Sequence, residues 1–384
     1  MLTRNLYRED EVVAALQFCI LRGRCVEAAF WATEMIESSM TTEFFEALIT
    51  IWRLGFGIAA LPWFSEFKRV EGLDELETDV LLGLVVGLAR SPRDITYLVM
   101  ADSKAPPDQV GLCMVPRGLT GVDAFFAAAI IQGRTMTAWR ALPSIGEGVM
   151  AVVAKHKHGE AGATLLDLSL ESALIIAALC LPRGELERRL PQPVPGMLDE
   201  VVDAVTEWDS LKGRARRVYT VPQESLYLIT ARGNTTVYES TDAGLRGSLE
   251  RPGKLWGSVF WDSVAEDLGG WLAVRSDDPT REAFYDDYFP DDIPDEWSLA
   301  DRAKSHGHGS LQPGTTASAS RFLRSWFGAY SSAVIWNDFP KMDFKKLADI
   351  SAPVGTPVEL NLRRATRQII PHSLQGHRPS AEVA

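Results

Sequence analysis

Apolar positions recur at intervals of three and four from residue 9 to about residue 181, and this period predicts a run of amphipathic helices. Val12, Leu16 and Ile20 share one face of a first helix, which Asp10 can cap. Arg22-Gly23-Arg24 interrupts it, glycine being the natural residue just past a helix end. Val26, Ala29, Phe30, Thr33 and Ile36 form the stripe of a second helix. Thr42 can cap a third, in which Phe45, Leu48, Ile49 and Trp52 repeat. Gly55 and Gly57 loosen its end, and Pro62 is expected to stop it. A fourth helix is predicted over residues 77–90, closed by Ser91-Pro92. The two most apolar stretches, 81–89 and 173–181, fall far short of the ~20 residues a membrane helix needs, so each reads as a buried helix.

The pattern carries a faint internal echo. In residues 14–31 an apolar helix ends at Gly23-Arg24 and a second begins; in residues 124–141 the same happens at Gly133-Arg134. The offset of 110 residues is too long for a short solenoid repeat. Two readings stand side by side: a duplicated bundle, or two unrelated helix hairpins obeying the same physics.

Beyond residue 181 the texture changes. Residues 182–196 are rich in proline and charge and mark a boundary. A helical stretch over 198–211 follows. Residues 217–220, 225–230 and 235–238 are β-branched and aromatic, and Gly233-Asn234 supplies a turn, so a short hairpin is expected. Tryptophans cluster at Trp256, Trp261 and Trp271. Residues 302–320 are rich in Gly, Ser, Thr, Ala and His. The fold class expected is therefore mainly α. A helical bundle over 1–181 precedes a smaller α+β region over 197–301, a flexible linker over 302–320, and a short helix and tail over 321–384.

Composition narrows the chemistry. The 384 residues suit two or three domains at ~150 residues each. A net charge of −12 opposes a general nucleic-acid coat, because affinity for a polyanion comes largely from Lys and Arg releasing counterions. Any nucleic-acid contact must be local, and the compact cluster Lys212, Arg214, Arg216 and Arg217 is the candidate. The same cluster could instead pair with acidic residues inside the protein. Cys19, Cys25, Cys113 and Cys180 make no CxxC pair and read as reduced thiols of an intracellular protein. The N-terminus has no apolar core of a secretory signal.

Catalytic signatures are sparse. The segment from Gly247 to Leu255 has one residue too many for a P-loop, and Leu255 stands where a hydroxyl must bind magnesium. The pairs His156/His158 and His306/His308 lie outside any predicted strand and read as solvated loop histidines; a zinc site would need two further ligands. There is no GxSxG elbow. No cofactor is implied.

The most distinctive local feature is the run from Phe284 to Trp297. It interleaves Asp286, Asp287, Asp291, Asp292, Asp295 and Glu296 with five aromatics and two prolines. The carboxylates could hold a hard cation such as magnesium. Pro290 and Pro294 disfavour a regular helix. The segment is therefore expected to be extended, with its aromatics on the protein and its acids facing solvent or Arg214, Arg216 and Arg217. As a partner-binding strip it offers Asp286, Asp287, Asp291, Asp292, Asp295 and Trp297.

Two resemblances add to this reading. Ala15-Leu16, Arg22-Gly23-Arg24, the string from Ala28 to Ala32 (Ala-Ala-Phe-Trp-Ala) and Met35, followed later by the string from Leu88 to Arg93 (Leu-Ala-Arg-Ser-Pro-Arg), resemble the C-terminal, clamp-loader-collar-like domain of the bacterial RarA/MgsA recombination ATPases. This covers about a quarter of the chain and consists of helix-packing residues. The ATPase module has no counterpart, so motor activity is not implied. The opening Asn5-Leu6-Tyr7-Arg8, Leu226-Tyr227, Phe260-Trp261-Asp262 and the string Pro-Asp-Asp-Ile-Pro-Asp-Glu-Trp ending at Trp297 are similar to an uncharacterised protein family of large double-stranded DNA (giant) viruses. That resemblance implies a viral origin and a place in the host cytoplasm, viral factory or virion, and no activity. The function expected is a non-enzymatic scaffold or protein-interaction module, associated with replication. The alternatives are a virion structural protein, or a metal-dependent enzyme using the acids of 286–296. A protein partner is expected and a membrane is not, while oligomerisation is left open.

Overall fold

The computed structural model describes residues 3–97, 100, 109–190, 196–211, 218–222, 225 and 258–288, except residues 6, 112 and 220. Helix accounts for 71% of the described residues and no strand occurs among them, so the protein is mainly α. The segments expected to form the β-hairpin, 225–230 and 235–238, lie almost wholly outside the described residues, as do the linker and tail beyond 288.

The first unit has five helices: α1 (Glu9–Arg22), α2 (Cys25–Glu37), α3 (Thr41–Gly55), α4 (Pro62–Glu71) and α5 (Thr78–Arg90). Pro62 begins a helix rather than ending one. At the first helical position its missing N–H leaves nothing unsatisfied, and its fixed φ suits the turn. The second unit also has five: α6 (Gly121–Ile131), α7 (Thr135–Ala141), α8 (Val149–His158), α9 (Glu160–Asp167) and α10 (Ser172–Leu179).

The two units close in the same order. In the first, α1 packs on α2, α2 on α5, α5 on α4, α4 on α3, and α3 back on α1. In the second, α6 packs on α7, α7 on α10, α10 on α9, α9 on α8, and α8 back on α6. The echo seen in the sequence thus extends from one hairpin to a whole ring of five helices. A short α11 (Glu185–Arg189) and α12 (Asp199–Ser210) follow; α11 packs on α9, and α12 returns to lie on α2. Beyond them, α13 (Val259–Asp267), α14 (Trp271–Ser276) and α15 (Asp278–Tyr288) form a small helical group.

The corner between the first two helices of each unit is a Schellman motif. Gly23 lies in the left-handed region (φ 70°), its N–H donates to Ile20 O at 3.0 Å, and the N–H of Arg24 donates to Cys19 O at 2.9 Å. Gly133 repeats this (φ 69°), donating to Ile130 O at 3.1 Å while Arg134 donates to Ala129 O at 2.8 Å. The Gly-Arg pairs legible in the sequence are therefore equivalent backbone devices. An L-residue with a Cβ at either glycine would lie in a disfavoured conformation.

One apolar core runs from Tyr7 through both units to Trp208 and Val221. The N-terminal segment ties the far end of the chain to it. Trp261 is fully buried and its Nε1 donates to Thr3 O at 3.1 Å. Tyr7 donates from its hydroxyl to Tyr219 O and packs its ring 4.9 Å from that of Trp31. Nearby, the Asn5 N–H donates to Glu34 Oε1 at 3.0 Å and its side-chain amide to Oε2, satisfying a carboxylate with no solvent exposure.

Candidate functional site

Of the acidic strip, the residues up to Tyr288 are described, and they are helical rather than extended. Pro290 and Pro294, which argued against a helix, lie outside the described residues. Helical spacing separates two faces. Phe284 is fully buried, with its ring 6.0 Å from Trp261 and 6.3 Å from Trp271. Tyr288, one turn on, lies 5.7 Å from Trp261 and 6.4 Å from Phe260. Asp286 and Asp287 face solvent. Trp271 is fixed by donating from Nε1 to Asp262 Oδ1 at 2.8 Å. At the other end of α15, the Asp277 carboxylate accepts the N–H of Thr280 at 3.1 Å and its hydroxyl, which holds the Asp277 pKa below the ordinary carboxylate value. Asp291, Asp292, Asp295 and Trp297 lie outside the described residues, and so do Lys212, Arg214, Arg216 and Arg217.

A second polar cluster sits at the seam between the two units. Arg53 of α3 donates to Glu171 Oε1 at 2.8 Å, just ahead of α10, and the Tyr97 hydroxyl donates to Glu171 Oε2 at 3.0 Å. The Arg53 guanidinium also lies over the Tyr97 ring, 5.4 Å from its centroid. Burial opposes the Arg53 charge, but the facing Tyr97 and Glu171 oxygens outweigh it and raise the pKa. Burial also raises the Tyr97 phenol. Arg189 of α11 reaches across to donate to Ile58 O at 3.1 Å.

Asp94 belongs to the connector leaving the first unit. Its N–H donates to Gly55 O at 2.9 Å and its Oδ1 accepts the Thr96 N–H at 2.8 Å. Its Oδ2 is buried without a hydrogen-bond partner. Burial pushes the carboxyl up to about 6, against the opposing pull of the Thr96 bonds and of Arg189. Asp94 is not among the residues singled out from the sequence; its signal there is an aspartate two residues before a threonine whose N–H it accepts, a local turn pattern common to this residue type. Arg53 and Glu171, 118 residues apart, have no signal at all.

The histidine pair 156/158 proves helical, in α8. His156 is exposed, while His158 is 2% exposed with Nε2 placed 2.9 Å from Leu179 O, so it is a core residue rather than a solvated one. Burial lowers its pKa, the first of several influences. Cys19 and Cys180 are buried free thiols. Burial raises both, Cys180 to about 11, which suppresses the reactive thiolate. Among the described residues no group of three or more His, Cys, Asp or Glu could hold a metal ion, and no helix is long and apolar enough to cross a membrane.

The fold and these clusters define a mainly helical protein in which, among the described residues, interior polar groups fasten one helix to another. Comparison with known protein families, with curated proteins and with solved structures finds no match to this chain.

Proposed function

We propose that this chain is a non-enzymatic scaffold that docks a protein partner through the acidic–aromatic strip opening at Asp286 and Asp287 and continuing through Asp291, Asp292, Asp295 and Trp297. Its sequence resemblances support a giant-virus setting, in the host cytoplasm or viral factory, beside the replication machinery. The observation that carries this reading is the division of labour on α15. Phe284 and Tyr288 pack against Trp261, while Asp286 and Asp287 point to water. Aromatic anchoring by Phe284 and Tyr288 restricts the helix that carries Asp286 and Asp287, so these two carboxylates present a preorganised surface to a basic partner.

The test is affinity capture from infected cells with the full chain and with the Asp286→Lys/Asp287→Lys variant. A basic protein captured by the wild type and lost with the variant is the expected result. Both positions are exposed, so the melting temperature stays unchanged. Identical captures by the two chains would sink the docking role. A melting temperature raised by magnesium or manganese only in the wild type would favour the metal-enzyme reading, because a ligand bound to the folded state alone stabilises it. High abundance in purified particles, with no such partner, would favour a virion structural protein.

A further inference from the structure

The Schellman corners carry more than a turn. In the first unit the Arg93 Nε donates to Leu21 O at 2.7 Å and its Nη2 to Ala89 O at 3.1 Å, tying together the C-terminal ends of α1 and α5. Arg22 and Arg24 lean over the Phe18 ring, 5.8 and 5.3 Å from its centroid, and Arg90 ends α5 beside them. Arg90 and Arg93 are close enough to the Cys25 thiol to oppose the rise that burial causes there. In the second unit Lys157 Nζ donates to Ile130 O at 2.7 Å, closing the C-terminal end of α6. A Cβ on Gly133 would stand 3.2 Å from Cys180 O, so the end of α10 meets the same corner. Arg134 follows Gly133 directly, Arg183 lies three residues past Cys180 and close enough to His158 to act on its charge, and Lys155 is exposed on α8.

Cations near helix C-termini are ordinarily explained by the helix dipole and the orphan carbonyls. Here Arg93 and Lys157 already serve those carbonyls. Arg22, Arg90, Arg134, Lys155 and Arg183 are exposed and form no ion pair among the described residues. Many cations elsewhere on this acidic surface find carboxylates, Arg117 being an exception among the described residues: Arg8 with Asp10, Lys68 with Glu71, Arg69 with Glu66, Arg188 and Arg189 with Glu185, Arg281 with Asp278. The acids nearest the corners are few. Glu27 pairs with Arg24, Glu200 faces Cys25 from α12, and Glu187 lies near His158.

We infer that the two Gly-Arg corners form a pair of cationic contact sites for the phosphate backbone of a nucleic acid. Each corner presents guanidinium groups that form no ion pair among the described residues, beside a cation already locked on carbonyls. The device recurs on the same backbone in both units, which suits a polyanion whose charges also recur. Guanidinium forks match phosphate oxygens bidentately, and phosphate contacts position a protein without reading sequence. On a chain of net charge −12, recognition of this kind stays local and salt-sensitive.

The experiment is fluorescence anisotropy of a labelled DNA duplex of about 30 base pairs, titrated with the full chain between about 50 and about 200 mM salt. The variant Arg22→Gln/Arg90→Gln/Arg134→Gln/Arg183→Gln removes these corner cations and leaves Arg93 and Lys157 in place. The control Lys68→Gln/Arg69→Gln/Arg188→Gln/Arg281→Gln removes as many cations that are paired. The corner variant should bind on the order of 10-fold more weakly or worse, with a salt slope shallower by ~0.9 for each phosphate it no longer neutralises, while the control stays near wild type. Equal weakening in the two variants would reduce the effect to bulk charge and overturn the inference. So would a wild type that does not bind the duplex. Polyglutamate bound as tightly as the duplex would assign the corners to an acidic protein instead, and would overturn it as well. Thermal melts of both variants confirm that the fold is retained.

Discussion

The two five-helix units follow one closing order but are filled with different side chains. The first is packed with large rings: Phe18, Trp31, Phe44, Phe45, Trp52, Phe56 and Phe67 are all at most 1% exposed. The second has few large rings, Phe126 and Trp139, and mixes aliphatic residues with many alanines, among them Ala127, Ala129, Ala138, Ala154, Ala177 and Ala178. Its helices are shorter, seven to eleven residues against ten to fifteen. Small side chains let backbones approach. A Cβ on Gly162 would meet the Ala154 carbonyl oxygen at 2.4 Å, whereas one on Gly55 in the first unit would meet the end of the Leu21 side chain. The ring order is therefore indifferent to residue size. What the units share is the corner and the apolar period, and those are enough to specify the path of the chain.

The comparison can be broken most sharply at Trp31, whose ring is fully buried between Tyr7 and Phe30. Trp31→Ala is expected to cost ~3–5 kcal/mol by denaturant unfolding, since the first unit cannot collapse around so large a void. A loss under about 1 kcal/mol would show that the large rings do not hold the first unit together.

Asp94, on the connector between the units, gives the next largest effect. Its folded pKa is raised to about 6 from an ordinary 3.8, so its contribution to stability is fully present below 3.8 and is lost as pH rises through 6. Asp94→Asn keeps an acceptor for the Thr96 N–H and removes the buried charge. The variant should therefore gain about 2–3 kcal/mol on wild type between pH 4 and pH 7. Parallel pH–stability curves for the two proteins would contradict this.

Glycine substitutions then separate the units by their spacing. Gly162→Ala forces a Cβ against backbone and is expected to lose ~1–3 kcal/mol, while Gly55→Ala loses less because the Leu21 side chain can turn away. Equal losses would mean that the second unit is no more closely packed than the first. The smallest expected effect tests what the units share. Gly23→Ala and Gly133→Ala should each cost ~1–2 kcal/mol, through the same left-handed conformation, in urea melts. A neutral result at one of them would show that the two corners are not equivalent.

Helices and glycine turns were legible because their causes are local, whereas the caps expected of Asp10 and Thr42 are not made: Arg8 and Met40 stand at those N-caps, without a side-chain cap bond, and both expected residues lie inside the first turn. The period of Val12, Leu16 and Ile20, and the glycine after Arg22, act within a few residues of where they are read. Where structure and expectation part, the deciding partner is distant or the boundary is set by position. Pro62 looks like a stop and serves as a start. Pro290 and Pro294 argued against a helix over the whole strip, yet the described residues up to Tyr288 are helical, because a proline does not forbid helix in turns well before it. His158 looks like a polar loop residue until the end of α10 covers it. Of the candidate site, the acidic–aromatic strip was visible as composition, but the burial of Phe284 against Trp261 was not.

The sequence by itself determined that the described part of the chain is mainly helical, where its glycine corners fall, and that its apolar runs are too short for a membrane helix. Periodicity, glycine turns and length are properties of contiguous residues, so they can be read without knowing what lies opposite. Only the tertiary structure decided that each set of five helices closes into the same ring. It alone brought Arg53 to Glu171 and Trp261 to Thr3, which lie 118 and 258 residues apart. It also decided which arginines find a carboxylate among the described residues and which do not. Those outcomes depend on which surfaces meet, and a surface is assembled from residues that no local spacing connects.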